Sequence, residues 1–256
     1  MDKLLYGVAY YDEYMPYDRL AEDVKMMKAA NINVVRIAES TWSTHEPQEG
    51  VFDFRHVTSC TGCDGGSRNL GYCRPPTYAI PTWMVKAHPD ILATTKRGPG
   101  IYGARQIMDI THPAYLFYAE RIIRRLMEVT AHRKCVIGFQ LDNETKYYDT
   151  SGRHVQERFV KYLREKFHDD LDAMNRAFGL DYWRQPDRCM GRFSGCTRHS
   201  INGSLGAEFE KFRRTLVDEF LMWQSGIVRN MPARISLSHT ILTLSGRDIL
   251  TVYSRW

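Results

Sequence analysis

Four polar residues that could carry acid-base chemistry stand at the end of an apolar run. The run, Cys135–Phe139 (CVIGF), is typical of a strand buried on both faces, and it leads into Gln140, Asp142, Asn143 and Glu144. A carboxylic acid whose pKa is raised by its pocket can protonate a leaving group and later activate water. By itself, however, this pattern also fits a carboxylate in a solvated loop.

Strand-like and helix-like segments alternate around this motif. Apolar runs predict strands at Leu4–Tyr10, Asn33–Glu39 and Cys135–Phe139, and the end of another strand at Thr77–Pro81. Apolar residues at helical spacing predict helices at Pro16–Asn31, Pro113–Ala131, Gly152–Phe167 and Leu205–Val228. This alternation indicates βαβ units and a parallel sheet of the α/β class, whose carboxyl-terminal edge is where catalytic side chains lie. We see no linker or repeat, and expect a single domain.

Three separated motifs are recognisable in the chain: RIAESTWSTHEPQEGVFDF at Arg36–Phe54, GARQIMD at Gly103–Asp109 and FQLDNE at Phe139–Glu144. In these residues and in this order they resemble the family 42 glycoside hydrolases, the β-galactosidases. The resemblance covers about residues 3–58, 76–183 and 200–229. It implies a (β/α)8 TIM barrel, here truncated after about the fifth strand, and a retaining hydrolase of terminal β-D-galactosides such as lactose.

The resemblance also implies roles for three site residues. Glu144 matches the general acid/base at the end of the fourth strand, and Asn143 matches the neighbour that binds the substrate's 2-hydroxyl. Arg105 matches a residue that lines the galactose site; outside its motif it would pass for an ordinary surface arginine. No cofactor is implied, and a homotrimer is usual for the family.

Other residues near the predicted strand ends are conspicuous without a defined role. Tyr10, Tyr11, Glu13 and Tyr14 resemble the end of the family's first strand, although Asp12 stands where a proline is common. Glu39 and Trp42 are expected at the mouth of the barrel, and whether either touches sugar is open.

No metal site is expected from the spacing of His112, His132 and His154, for which we expect solvated positions. Some members of the family hold a structural zinc on cysteines, but the residue after the arginine motif is Asp109, so that site does not carry over.

Charge and cysteine are concentrated in three short segments. Residues 59–74, 184–199 and 230–256 carry net charges of +1, +3 and +2, so the rest of the chain carries −1 of the total +5. Five of the six cysteines lie in the first two segments. A nucleic-acid-binding face would spread its basic charge differently. With no apolar run long enough for a membrane span and no secretory signal pattern, we expect a cytoplasmic protein.

These segments interrupt the family pattern, and a shifted reading frame explains all three. Read one nucleotide later, suitable codons for residues 59–74 permit AVLDAMEEAGISVIVG, a helix followed by a buried strand. The same shift in residues 184–199 forces a tryptophan at Met190–Gly191, and a two-nucleotide shift after Asn230 forces an alanine. We therefore expect residues 59–74, 184–199 and 230–256 to be out of frame.

A retaining glycosidase also needs a second carboxylate about 5 Å from the first. The family takes it from the seventh strand, so we nominate no nucleophile and expect the chain to be inactive by itself. One alternative is a zinc-binding or nucleic-acid-binding module that uses Cys60, Cys63 and Cys73, although a structural zinc site wants four ligands. Another is a different retaining β-glycosidase on the same barrel.

Overall fold

The computed structural model describes residues 4–61, 70–95, 97–103, 106–143, 150–180, 202–231 and 240–243, the last range by its backbone only. Its strands are β1 Gly7–Ala9, β2 Val34–Ile37, β3 Leu70–Cys73, β4 Thr94–Thr95, β5 Gly98–Pro99, β6 Val136–Asn143 and β7 Thr240–Thr243. Its α-helices are α1 Leu20–Ala29, α2 Trp42–His45, α3 Arg55–Cys60, α4 Thr82–Ala87, α5 Pro113–Thr130, α6 Arg153–Phe167, α7 Leu171–Phe178 and α8 Gly203–Arg229. A 3-10 turn at Asp12–Tyr14 follows β1.

Five of the strands form one parallel sheet in the order β1, β2, β3, β6, β7. Each strand therefore pairs with the next long strand along the chain, and at least one helix connects each pair. Parallel pairing in sequential order, with helical crossovers, is the topology of a (β/α)8 barrel. The predicted α/β fold and the fifth strand are confirmed.

The strand that leads to the predicted acid/base is buried along most of its length. Val136, Phe139 and Leu141 are each at most 1% exposed, and the polar residues Gln140 and Asp142 are 3% exposed. Burial on both faces explains why the sequence shows a continuous apolar run rather than an alternating one. The strand continues four residues beyond its predicted end at Phe139. These four residues include the polar side chains at the carboxyl end, which an apolar run does not reveal.

Helix α5 packs its apolar stripe against this strand in one hydrophobic cluster. Pro113 begins the helix, where a missing N–H costs nothing. Ile123, Leu126 and Met127 of the helix lie in the same buried cluster as Phe139. The apolar face of α5 and the buried strand β6 thus belong to one hydrophobic core.

The residues group into two compact units. The first comprises Met1–Pro89, Phe117–Thr145 and Leu221–Trp256 and contains the parallel sheet; the second comprises Asp90–Leu116 and Lys146–Phe220. The second unit has an aromatic core in which the Phe159 ring lies 4.9 Å from Phe209 and 5.1 Å from Phe212, centroid to centroid. Of the helices described, none is long and apolar enough to cross a membrane.

The third strand of the sheet is where the structure departs from the sequence prediction. Thr77–Pro81, predicted as the end of a strand, forms a turn before α4, and the strand is instead Leu70–Cys73. Pro75 and Pro76 end the pairing because proline has no N–H for the ladder. Part of segment 59–74, which lacks a helix or strand pattern, thus supplies the end of α3 and all of β3.

Substitution of two helix methionines, one buried and one exposed, tests whether this hydrophobic core stabilises the fold. Met127→Ala should lower the free energy of unfolding by about 2–5 kcal/mol, since Met127 is 1% exposed and its removal leaves a cavity. Met222→Ala is the matched control, because Met222 is 75% exposed and the change should stay within about 0.5 kcal/mol. Urea unfolding of both variants measures the difference; equal losses would contradict the assignment of this core.

Candidate active site at the strand ends

Side chains from four strands meet at the carboxyl edge of the sheet. Tyr11 follows β1, Glu39 follows β2, Arg74 follows β3 directly, and Asp142 lies near the end of β6. Backbone hydrogen bonds extend the ladder to these positions: Tyr10 N donates to Arg36 O at 2.9 Å, and Arg74 N donates to Ile37 O at 3.1 Å. Because parallel strands end on the same edge, residues far apart in sequence come together there.

Glu39 lies at the centre of this cluster, with two partners on each carboxylate oxygen. Its Oε1 accepts a hydrogen bond from Tyr78 Oη at 3.0 Å and lies 2.5 Å from Arg74 Nη1. Its Oε2 accepts from Tyr11 Oη at 2.6 Å and lies 2.6 Å from Arg36 Nη2. The residue is 4% exposed. We call this set, Glu39 with Tyr11, Arg36, Arg74 and Tyr78, the Glu39 network.

The network keeps Glu39 ionised at neutral pH. Burial by itself would raise the pKa of Glu39, but the hydrogen bond from Tyr11 and the charges of Arg74 and Arg36 outweigh it and lower the pKa below its usual value. The charge acts in return on the tyrosines, since burial and Glu39 together raise the pKa of Tyr78 to about 12. Glu39 is therefore suited to orient cations and hydroxyls, and not to donate a proton.

The backbone around Glu39 adopts an unusual conformation. Ala38 and Ser40, on either side of it, have φ angles of 68° and 63°, in the left-handed region that non-glycine residues rarely occupy. Such conformations cost free energy and persist where the surrounding structure enforces them, often at functional sites. The two left-handed residues turn the chain sharply after β2, and the Glu39 side chain between them is directed into its network.

Arg74 is the member of the network that the sequence analysis did not single out. It is fully buried, lies 3.6 Å from Asp142 Oδ1 as well as beside Glu39, and its guanidinium stands 4.7 Å from the centre of the Tyr78 ring. Its nitrogens contact these carboxylates at ion-pair distance but without good hydrogen-bond angles. Its position in the anomalous segment 59–74 concealed it, although an arginine directly after a strand is a detectable signal.

The end of β6 joins the network through Gln140. Arg36 Nη1 donates to Gln140 Oε1 at 3.2 Å, and Gln140 Nε2 donates to the Asp142 carbonyl at 3.0 Å. Asn143 is the last residue of β6, so Glu144 comes directly after the strand in sequence. Glu144, Arg105 and the side chain of Asn143 lie outside what the structure describes, and their roles stay predictions.

Two expectations about individual side chains need correction. Trp42, expected at the mouth, is completely buried, and its Nε1 donates to Glu46 Oε2 at 3.0 Å, which removes it from any open sugar site. His112, expected to be solvated, is 5% exposed, and its ring lies 4.7 Å from that of His154, centroid to centroid. The local sequence pattern shows neither the burial of Trp42 nor that of His112.

The zinc module based on three cysteines is not favoured. Cys73 is fully buried in the hydrophobic core cluster, where apolar neighbours such as Ile37 and Phe139 offer a metal ion no ligands. Cys60 lies at the end of α3, and Cys63 lies outside the described residues. The environment of Cys73 therefore opposes the predicted ligand set.

A sequential parallel sheet with buried charged residues at its carboxyl edge defines a (β/α)8-barrel enzyme scaffold. The family follows from comparison with known proteins: the family model described as β-galactosidase, glycoside hydrolase family 42, matches residues 9–253. The chain belongs to this family.

Individual relatives support the same assignment. The chain is 29% identical over 237 residues to the β-galactosidase YesZ of Bacillus licheniformis, and 32% identical over 186 residues to a β-galactosidase of Thermus thermophilus. These alignments cover 89% and 70% of the chain but only 35% and 28% of the relatives. The crystal structure of a β-galactosidase from Marinomonas ef1 superposes with a TM-score of 0.81 at 26% identity, over 88% of this chain and 35% of that one. The chain thus spans about a third of its relatives' length.

The Glu39 network yields a test of stability. Glu39→Gln should lower the free energy of unfolding by roughly 3–5 kcal/mol at pH 7, because it leaves the buried guanidinium of Arg74 without its nearest countercharge. The double variant Glu39→Gln/Arg74→Met should recover part of the loss. Urea unfolding measures all three proteins.

The control and the pH dependence make this test specific. Glu128→Gln removes an exposed partner of Arg125 on α5 and should cost less than about 1 kcal/mol. Since the folded-state pKa of Glu39 is lowered, its contribution is present above its unfolded pKa of about 4.3 and is lost as pH falls through the folded pKa. An acid dependence identical in wild type and Glu39→Gln would contradict this account.

Proposed function

We propose that the chain is part of a retaining glycoside hydrolase that acts on terminal β-D-galactosides such as lactose, with Glu144 as the general acid/base. The observation that carries the proposal is the FQLDNE motif at the carboxyl end of β6 in a chain of the β-galactosidase family. The relatives named above are β-galactosidases by name.

The chemistry of such a site explains the residue types. Retention of configuration takes two steps, in which one carboxylic acid first protonates the leaving oxygen and then activates water. In the proposal Glu144 does both, and Asn143 binds the 2-hydroxyl, whose hydrogen bond strengthens as positive charge develops on the sugar ring. Arg105 lines the galactose site.

The nucleophile is proposed to lie outside this chain. Of the buried carboxylates described at the mouth, Glu39 has both oxygens engaged by cations and tyrosines, which leaves no lone pair well placed to attack a sugar. Asp142 lies near Arg74 within the same charged cluster. Since the chain spans about a third of its relatives, we propose that it does not hydrolyse galactosides by itself.

Hydrolysis of a chromogenic β-galactoside by the purified chain tests this part of the proposal. We expect no release of the chromophore above the buffer rate, because a retaining mechanism needs a second carboxylate about 5 Å from the first. Turnover that disappears in Glu144→Gln and survives in Glu157→Gln, a change on the exposed side of α6, would contradict the inactivity and support the role of Glu144.

We further propose that residues 59–74, 184–199 and 230–256 are translated out of frame. The uneven charge and cysteine content supports this, as does the lack of a strand pattern in the segments that contain β3 and β7, the third and fifth strands of the sheet. β3 reads LGYC, an unusual composition for an internal strand because glycine weakens strands.

Sequencing of the underlying DNA tests the frame proposal. We expect single-nucleotide insertions or deletions at the borders of the three segments, and the shifted frames should encode the helix and strand patterns of the family. An uninterrupted frame whose alternative frames encode unrelated residues would rule the idea out. A trimeric assembly, a cytoplasmic location and the absence of nucleic-acid binding stay predictions.

A further inference from the structure

A second cluster of ligand-type side chains lies beside the first strand, outside the Glu39 network. Asp12 comes from the 3-10 turn after β1, while His56 and Cys60 come from α3. The two residues on α3 are four positions apart, so they lie on the same face of the helix. Two short elements therefore present a carboxylate, an imidazole and a thiol to one point.

The distances suit a single metal ion. His56 Nδ1 lies 2.9 Å from Asp12 Oδ1, and Cys60 Sγ donates to the same oxygen at 3.4 Å. The three ligand atoms all lie within 4.8 Å of one another. Zinc bonds of about 2.0–2.3 Å in a tetrahedron separate neighbouring ligand atoms by roughly 3.3–3.8 Å. Small side-chain rotations would bring the three atoms into that geometry.

Glu13 provides an independent observation that points to a bound cation. Its side chain is 4% exposed, and neither carboxylate oxygen makes a hydrogen bond of good geometry among the described residues. It lies 3.3 Å from His56 Nε2, the ring nitrogen that faces away from Asp12. A buried carboxylate in such surroundings is costly. A histidine that binds metal through one nitrogen commonly donates its other N–H to a carboxylate, which is the position that Glu13 occupies.

We propose that Asp12, His56 and Cys60 bind a zinc-type divalent cation, with Glu13 as the positioning residue that orients His56. A mixed oxygen, nitrogen and sulfur donor set suits zinc, and three protein ligands leave the fourth position to water. On binding, the Cys60 thiol and His56 Nδ1 lose any proton they carry to solvent. The proposal does not depend on the proposed hydrolytic activity, and it concerns the chain as translated, because Cys60 lies in segment 59–74. It differs from the module of three cysteines because Cys73 takes no part.

Another cluster, Asp90 with His112 and His154, is a useful comparison because it is built differently. His112 Nδ1 accepts a hydrogen bond from Ala114 N at 3.1 Å. The neutral ring therefore carries its proton on Nε2, which faces Asp90 Oδ1 at 3.3 Å. The lone pair that a metal would need is absent at that atom, so this cluster is a hydrogen-bonded group and serves as a control.

The proposal is tested by titrating the chelator-treated full chain with Co²⁺ and then with Zn²⁺. We expect one equivalent of Co²⁺ to give a thiolate-to-cobalt charge-transfer band, and Zn²⁺ to abolish it. Cys60→Ser should lose the band, and His56→Gln and Asp12→Asn should weaken Co²⁺ binding at least tenfold. Glu13→Gln should weaken it about tenfold, as expected of a residue that orients a ligand.

The controls separate this site from other thiols. Cys135→Ser, Cys63→Ser and His154→Gln should keep the band and the affinity of wild type. Absence of stoichiometric Co²⁺ binding to the wild-type chain would overturn the proposal. So would a band that survives in Cys60→Ser, or one that is lost in Cys63→Ser, since that would identify a different ligand set. Circular dichroism of each variant shows whether a lost band reflects lost folding.

Discussion

The ion pair between Glu39 and Arg74 is the interaction on which the mouth of the sheet depends. Arg74 is fully buried and Glu39 nearly so, and a charge in such surroundings is tolerated only when a countercharge lies in contact. Glu39 lies just beyond the end of β2 and Arg74 directly follows β3, so the pair requires β2 and β3 to end side by side. Its electrostatics thus constrain the strand ends, and the strand register in turn keeps the pair in contact.

Pairing of strands that are distant in sequence explains what the sequence could and could not predict. Helix α5 and strand β6 were predicted within a few residues, because their apolar patterns are local and strong. β3 was not, because LGYC has no such pattern and becomes a strand only between β2 and β6. The Glu39 network was missed as a unit for the same reason, since it joins residues from the ends of β1, β2 and β3, and Arg36 in turn contacts Gln140, 104 positions away.

The burial of single residues is likewise not visible in the local sequence pattern. Trp42 has the side chain of a sugar-binding residue and the sequence position of a mouth residue, yet its indole donates to Glu46 inside the core. Family motifs predicted the topology and the strand that precedes Glu144 in sequence. They did not predict that Trp42 is buried while Tyr11 and Tyr78 contact Glu39.

Two buried glutamates near the ends of β1 and β2, Glu13 and Glu39, differ in the partners that their carboxylate oxygens have. Glu39 has two guanidinium groups and two tyrosine hydroxyls on its oxygens, and its pKa is lowered despite burial. Glu13 has a side chain that is 4% exposed, and it makes no hydrogen bond of good geometry in the described part of the chain. It lies 3.3 Å from His56 Nε2, and the other ring nitrogen of His56 faces Asp12, the carboxylate that Cys60 also contacts. A divalent ion on those three residues would provide for Glu13, through His56, the positive charge that Arg74 provides for Glu39.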